Sequence, residues 1–156
     1  MAQRPRKLEI RYEMLTSGMI TEADVLNVRA LARQFNGEST SISRRDLLIA
    51  ARKHYIFVAR SIQPEGVKIV GLVCLIVNHL PMSGSEGVIE DVIVDKKFRG
   101  RSIARNLLKQ TLEFAQDRGI SVFYLTSSEH RKEAHALYES LEFKPRNARV
   151  YELEYK

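Results

Sequence analysis

Apolar positions along this chain change period several times, and each change marks an element. From Leu8 to Met14 they alternate with charged residues, which predicts a short strand. Thr21 and Asp24 make a capping pair, and Val25, Val28, Ala32 and Phe35 follow on one helical face. The stretch NGESTS, Asn36 to Ser41, stops that helix. Ser43 and Asp46 repeat the cap and open a second helix to about Lys53. YIFVAR and VKIVGLVCLIVNHL are rich in Ile and Val, and Pro64 and Gly66 between them predict a hairpin. After the turn PMSGSEG comes a further strand, Val88 to Val94.

A helix then runs from Ile103 to Arg118, with Ala104, Leu107, Leu108, Thr111, Leu112 and Ala115 on its apolar face. Gly119 suits a left-handed end to it. ISVFYLTSS is a continuous apolar run, expected to be a strand buried on both faces. Ser127 or Ser128 is positioned to cap a last helix, with Ala134, Leu137, Tyr138 and Leu141 on its inner stripe. ARVYELEY alternates and predicts a closing strand. The order β-α-α-β-β-β-α-β-α-β predicts an α/β (α+β) fold, a mixed central sheet flanked by helices.

The length of 156 residues fits one domain over 1–156, with no repeat or linker. Lys and Arg outnumber Asp and Glu by 25 to 19, so the net charge of +6 favours acidic ligands without selecting among them. A lone Cys74 excludes an internal disulfide framework and is expected to be a buried filler. The opening MAQRPRKLEIRYEML lacks a leader's apolar core. The longest apolar run, Ile69 to Val77, is well short of the roughly 20 residues that cross a bilayer. A cytoplasmic protein without a membrane partner is therefore expected. With no zinc finger or arginine–aromatic recognition motif, nucleic acid is disfavoured as a partner. His54, His79, His130 and His135 show no HxH or HxxxH spacing, and no metal site is expected. Oligomeric state is open.

Charge placement is the most informative local feature. Five of the ten residues from Lys96 to Arg105 are basic, directly before a helix. A helix N-terminus already disfavours cations, so this placement argues for an anion bound there. The first amides of the helix can receive phosphate oxygens, Arg99, Arg101 and Arg105 add charge-assisted donors, and Gly100 allows close approach. A solvated basic turn is the plainer alternative. The Walker and dinucleotide glycine patterns are both absent.

VIEDVIVDKKFRGRSIARNLLKQTLEFAQDRG, then LTSS, then EAHALYESLEF, resembles the GNAT N-acetyltransferase superfamily over roughly residues 67–143. The family signature [QR]-x-x-G-x-[GA] falls on Arg99, Gly100, Arg101, Ser102, Ile103 and Ala104, with Ser102 where glycine is usual. His135 stands at an Asn-like position and Glu142 where glycine precedes Phe143, while Tyr138 and Phe143 match. The resemblance implies splayed parallel strands, Val88–Val94 and Ile120–Thr126, forming a cleft for acetyl-CoA, and transfer of its acetyl group to a primary amine. Val92, Ile93 and Val94 would meet the pantetheine arm, and residues 99–105 the pyrophosphate. His135 would reach the pantetheine amides, unless it is a packed or surface histidine.

Tyr138 resembles the family's general acid, and the structural alternative is an inward-facing core tyrosine. Glu90 is the candidate base, the alternative being a polar residue at the strand's solvent end. Adjacent Glu90 and Asp91 should face opposite sides of a regular strand and not cooperate. Ser102, His135 and Glu142 also motivate an alternative, a degenerate member that binds CoA or acyl-CoA with little catalysis. The acceptor amine is unidentified. Residues 22–54 carry six basic and four acidic side chains, which disfavours a polyamine.

Overall fold

The computed structural model describes residues 8–155. Residues 1–7, which begin the segment read above as lacking a leader's core, lie outside the described residues. Backbone contacts divide the chain into two compact units, Met1–Thr126 and Ser127–Lys156.

The first unit holds a five-stranded sheet in the order β1-β2-β3-β4-β5. Strands β1 (Glu9–Leu15), β2 (Tyr55–Gln63), β3 (Gly66–Leu80) and β4 (Gly84–Val94) pair antiparallel in succession. The short β5 (Phe123–Tyr124) adds parallel to β4. Helices α1 (Glu22–Asn36) and α2 (Arg44–Lys53) connect β1 to β2, and α3 (Ile103–Gln116) connects β4 to β5.

Strand alternation explains why both faces of the sheet are covered. Ile56 and Val58 join Leu72, Cys74 and Ile93 in a core with Val25, Val28 and Leu31 of α1 and Leu47 of α2. Tyr55 and Phe57 face the other way, and both rings pack on Phe114 of α3, at 4.8 and 5.2 Å between centroids. Gly71 opens the closest approach on that face. A Cβ there would lie 3.1 Å from methyl carbons of both Ile103 and Leu107. Burial of Ile103, Leu107, Leu108, Thr111 and Ala115 fixes the rotation of α3 about its axis.

Local signals carry the helix ends. Both expected capping boxes form, Thr21 with Asp24 and Ser43 with Asp46. Gly119, at φ 78°, ends α3 in a Schellman arrangement, its N–H bonded to Gln116 O and that of Ile120 to Ala115 O.

Two strand expectations need correction. Within ISVFYLTSS only Phe123 and Tyr124 are strand, both half-buried, and Val122 is 45% exposed. The segment has a partner on one side only, and that partnership ends after two residues. In the second unit, Ala148–Tyr155 is not a strand, and all of its side chains are exposed. A strand needs a neighbouring edge, and the described sheet contains none from this segment.

Helix α4 (Lys132–Glu139) is the helix of the second unit. Its N-cap position is Arg131, which makes no side-chain capping bond to the helix, rather than Ser127 or Ser128. A turn through Glu129 and His130 intervenes, closed by Arg131 N–H to Ser128 O, so His130 precedes the helix.

Candidate active site

Strand β4, the turn after it and α3 form one continuous unit, and its turn is held from several directions. Asp95 N–H donates to Val70 O, extending the β3–β4 ladder by one bond. The Asp95 carboxylate accepts from Lys97 N–H at 2.8 Å and from Gln34 Nε2 at 3.2 Å. Gln34 Oε1 in turn accepts from Lys96 N–H at 3.1 Å. Gln34, on α1, was not legible as part of the site, because nothing local distinguishes it from any polar helix residue. Arg99 Nε donates to Val94 O at 3.1 Å, which leaves its two terminal nitrogens for a ligand.

Beyond Arg99 the backbone turns left-handed twice, at Gly100 (φ 73°) and Ser102 (φ 59°). Ser102 is the N-cap residue of α3 and makes no side-chain cap bond. The first bond of the helix joins Asn106 N–H to Ser102 O at 3.0 Å, so the amides of residues 103–105 precede the helical ladder. No acidic residue occupies that first turn. Arg99 and Arg101 are exposed, Arg105 and Ala104 are half-buried, and Ile103 is buried. Asn106 Nδ2 donates to the Tyr12 hydroxyl at 3.0 Å, tying the start of α3 to β1.

Strands β4 and β5 part in the expected manner. Their pairing covers Gly87 with Phe123 and Val88 with Tyr124, assisted by Gly87 N–H to Val122 O at 2.9 Å. Gly87 permits that contact, because a Cβ would lie 2.7 Å from a Phe123 ring carbon. Among the described residues, the β5-facing edge of β4 has no strand partner from Ile89 to Val94, and Val92, Ile93 and Val94 lie in this stretch.

Glu90 and Asp91 depart from the regular alternation expected of them. The β3–β4 register shifts between Leu72, opposite Ile93, and Cys74, opposite Glu90, so Asp91 and Val92 together oppose Val73. Asp91 has φ 52°, the left-handed conformation of a β-bulge. Burial and then the charge of Asp91 raise the Glu90 carboxyl above its ordinary range, so the two groups are electrostatically linked. Asp91 is exposed, yet enough protein surrounds its carboxyl to raise it by desolvation; its open surface argues for a modest effect. Cys74 is buried, and its thiol is pushed up to about 12 by burial, then by Asp91 and Glu90. It is an inert filler, as expected.

In the second unit, Tyr138 and His135 lie half-buried on α4. Burial raises the Tyr138 phenol, against a smaller opposing effect of the Arg131 charge. Its ring meets Phe143 edge-on at 6.1 Å, and Phe143 N–H bonds Tyr138 O at 3.1 Å. Glu142, between them and the helix end, is also left-handed, with φ 69°.

The described order of elements and the parted parallel strands are those of a GNAT-type fold, and the chain belongs to the acetyltransferase (GNAT) family. The Acetyltransferase (GNAT) family pattern matches residues 25–143. Thialysine N-epsilon-acetyltransferases of Sus scrofa and Bos taurus are similar over 79 residues, at 30% and 29% identity. That match takes in 51% of this chain and 46% of each relative, so the chain spans about half the length of the curated relatives it matches. Among solved structures, an acetyltransferase of Trypanosoma brucei superposes with a TM-score of 0.75 at 24% identity, covering 94% of this chain and all of the other. A "predicted acetyltransferase" of Clostridium acetobutylicum, solved with acetyl-CoA, gives 0.70 at 18% identity, covering 94% and 96%. These two likenesses concern the fold. No helix among the described residues is long and apolar enough to cross a membrane.

Proposed function

We propose that this chain is a single GNAT-like domain over residues 1–156 that moves the acetyl group of acetyl-CoA to a primary amine of a small molecule or protein. The observation that carries the reading is the β4 edge left without a strand partner from Ile89 to Val94, leading directly into an acid-free, arginine-bearing helix start. An extended amide-bearing chain could pair with that edge, and a diphosphate fits the turn beyond it. The donor sets agree with the two halves of acetyl-CoA.

In this reading Val92, Ile93 and Val94 receive the pantetheine arm, and a β4 amide polarises the thioester carbonyl. Gly100 and Ser102 offer backbone amides to the pyrophosphate, with Ile103 and Ala104 opening the helix behind them. Arg99, Arg101 and Arg105 supply charge. Glu90 removes the proton that an ammonium must lose before attack, and its raised carboxyl makes it a better base than an ordinary glutamate. Tyr138 protonates the departing thiolate, and its raised phenol keeps that proton through neutral pH. His135 contacts the pantetheine amides. The reaction takes place in the cytoplasm.

The second reading, a CoA or acyl-CoA binder with little catalysis, rests on Ser102, His135 and Glu142, of which Ser102 and Glu142 are side chains at left-handed positions where the resembled family has glycine. Titration calorimetry with acetyl-CoA and with a truncated pantetheine thioester tests the cofactor assignment common to both. Much tighter binding of the full cofactor is expected. Equal affinities would remove the turn from the site.

A further inference from the structure

Helix α1 reaches the sheet through two side-chain amides, Asn27 and Gln34, which are seven residues apart and so lie on one face of it. Asn27 Oδ1 accepts from Ile69 N–H at 2.7 Å. That bond falls where the β2–β3 register slips. Ala59 opposes Gly71 and Arg60 opposes Ile69, which leaves Val70 without an opposite residue on β2. The carbonyl of Val70 is the one that receives Asp95 N–H. Asn27 thus fixes α1 over this stretch of β3, two helical turns before the second amide. Gln34 then spans Asp95 and Lys96, donating to the Asp95 carboxylate at 3.2 Å and accepting Lys96 N–H at 3.1 Å.

The segment so held is crowded with like charge. Lys96, Lys97, Arg99 and Arg101 fall within six residues, and their mutual repulsion favours a splayed turn. Gln34 opposes that without changing the charge offered to an anion, because a neutral amide donates and accepts at once. Glutamate there would keep an acceptor for Lys96 but set a second carboxylate against Asp95. Lys96 is exposed and its bond to Gln34 competes with water, so the bridge adds little to global stability. What it fixes is the path of the backbone from Asp95 to Arg99, whose Nε–H is held in turn by Val94 O.

We propose that Gln34 is a positioning residue for the diphosphate of the cofactor, ordering the turn so that Arg99 and the amides beyond it meet that group with little rearrangement. The proposal rests on the reading of this turn as the diphosphate site. It gives α1 a part in cofactor affinity that acts through Asp95 and Lys96 rather than by touching the ligand.

Gln34→Met keeps the length of the side chain and removes both bonds, and Gln34→Glu removes only the donor. Titration calorimetry of the full chain should show that Gln34→Met weakens acetyl-CoA binding by about tenfold, the scale of two modest hydrogen bonds. Affinity for a truncated pantetheine thioester should be unchanged, and the melting temperature should barely move. Gln34→Glu should lose at least as much. In an Arg99→Ala background the loss from Gln34→Met should shrink, because the arginine being positioned is gone. A wild-type preference for acetyl-CoA that both Gln34 variants retain overturns the proposal and leaves the turn as the diphosphate site. Equal losses for the two ligands, or losses that add in full to those of Arg99→Ala, overturn it by making Gln34 a merely structural residue. Equal wild-type affinities for the two ligands remove the diphosphate site itself, and the proposal with it.

Discussion

Arg99 donates its Nε–H to the carbonyl of Val94 at 3.1 Å, so a cation of the anion-ready turn is fastened to the last residue of β4. This bond pre-orients the remaining guanidinium nitrogens instead of leaving them to search solvent. Replacing Arg99 and Arg101 together with alanine should weaken acetyl-CoA binding by roughly 2–4 kcal/mol, at 1–2 for each charged contact. A truncated pantetheine thioester should lose far less. Arg99→Lys alone should also weaken binding, because lysine cannot hold Val94 O and keep a planar fork for phosphate. Calorimetry on the three variants checks this; equal losses for both ligands would separate the arginines from the pyrophosphate.

Ser102 and Glu142 both occupy left-handed backbone, at φ 59° and 69°, where side chains are disfavoured. Ser102→Gly relieves that strain but frees the unfolded chain, so its net effect on stability should stay within about 1 kcal/mol. Its cofactor affinity should rise if the Ser102 Cβ crowds the ligand, and fall if the hydroxyl serves a phosphate. Glu142→Gly should alter melting by a similarly small amount and leave binding at the turn unchanged. An unchanged dissociation constant for Ser102→Gly would dismiss both roles for the serine.

Tyr138→Phe removes one oxygen and keeps the edge-on contact with Phe143. As the proton donor, Tyr138 should lower turnover by about 10²–10⁴ when lost, with little change in acetyl-CoA affinity. Since burial raises its phenol, the basic limb that reports it should lie above the ordinary tyrosine range of about 10, and should vanish in the variant. Normal turnover with a lower melting temperature would leave Tyr138 a packing residue.

Asp24 carries the clearest pH dependence of stability. It is buried, which opposes ionisation, but bonds from Arg60 and from the Thr21 amide and hydroxyl outweigh that and hold its carboxyl below the ordinary value of 3.8. The folded state therefore binds this proton less readily than the unfolded chain. The stabilisation is complete above the ordinary value and is lost as pH falls through the folded one. Asp24→Asn should cost about 2 kcal/mol near neutrality, since it removes one charged contact of a mostly buried arginine that keeps its pairing with Glu13. It should also flatten the acid limb of the melting temperature below the ordinary carboxylate value of 3.8. An unchanged acid limb would assign it to other carboxylates.

How much of this was legible in the sequence follows from range. Capping boxes at Thr21 and Ser43, the Gly119 stop and the apolar stripe of α3 are decided within a few residues, and all form. The basic turn was visible as charge against a dipole, and Ser102 as a serine where the resembled signature has glycine; its positive φ came only with the structure. The bulge at Asp91 was not visible, because it depends on the register against β3, some twenty residues away. Gln34 bridges to Asp95 and Lys96 across more than sixty residues without a local mark. The strand expected at Ala148–Tyr155 has the right alternation, but alternation cannot supply the partner edge that makes a strand.

Release of free CoA thiol from acetyl-CoA, followed against a panel of small amines, amino acids, aminoglycosides and peptide N-termini, tests acetyl transfer itself. The expected result is amine-dependent release matched one for one by N-acetylated product, lost in the Arg99→Ala/Arg101→Ala variant at limiting cofactor. Tight acetyl-CoA binding without release on any amine would contradict the catalytic reading and leave the protein a binder of the cofactor.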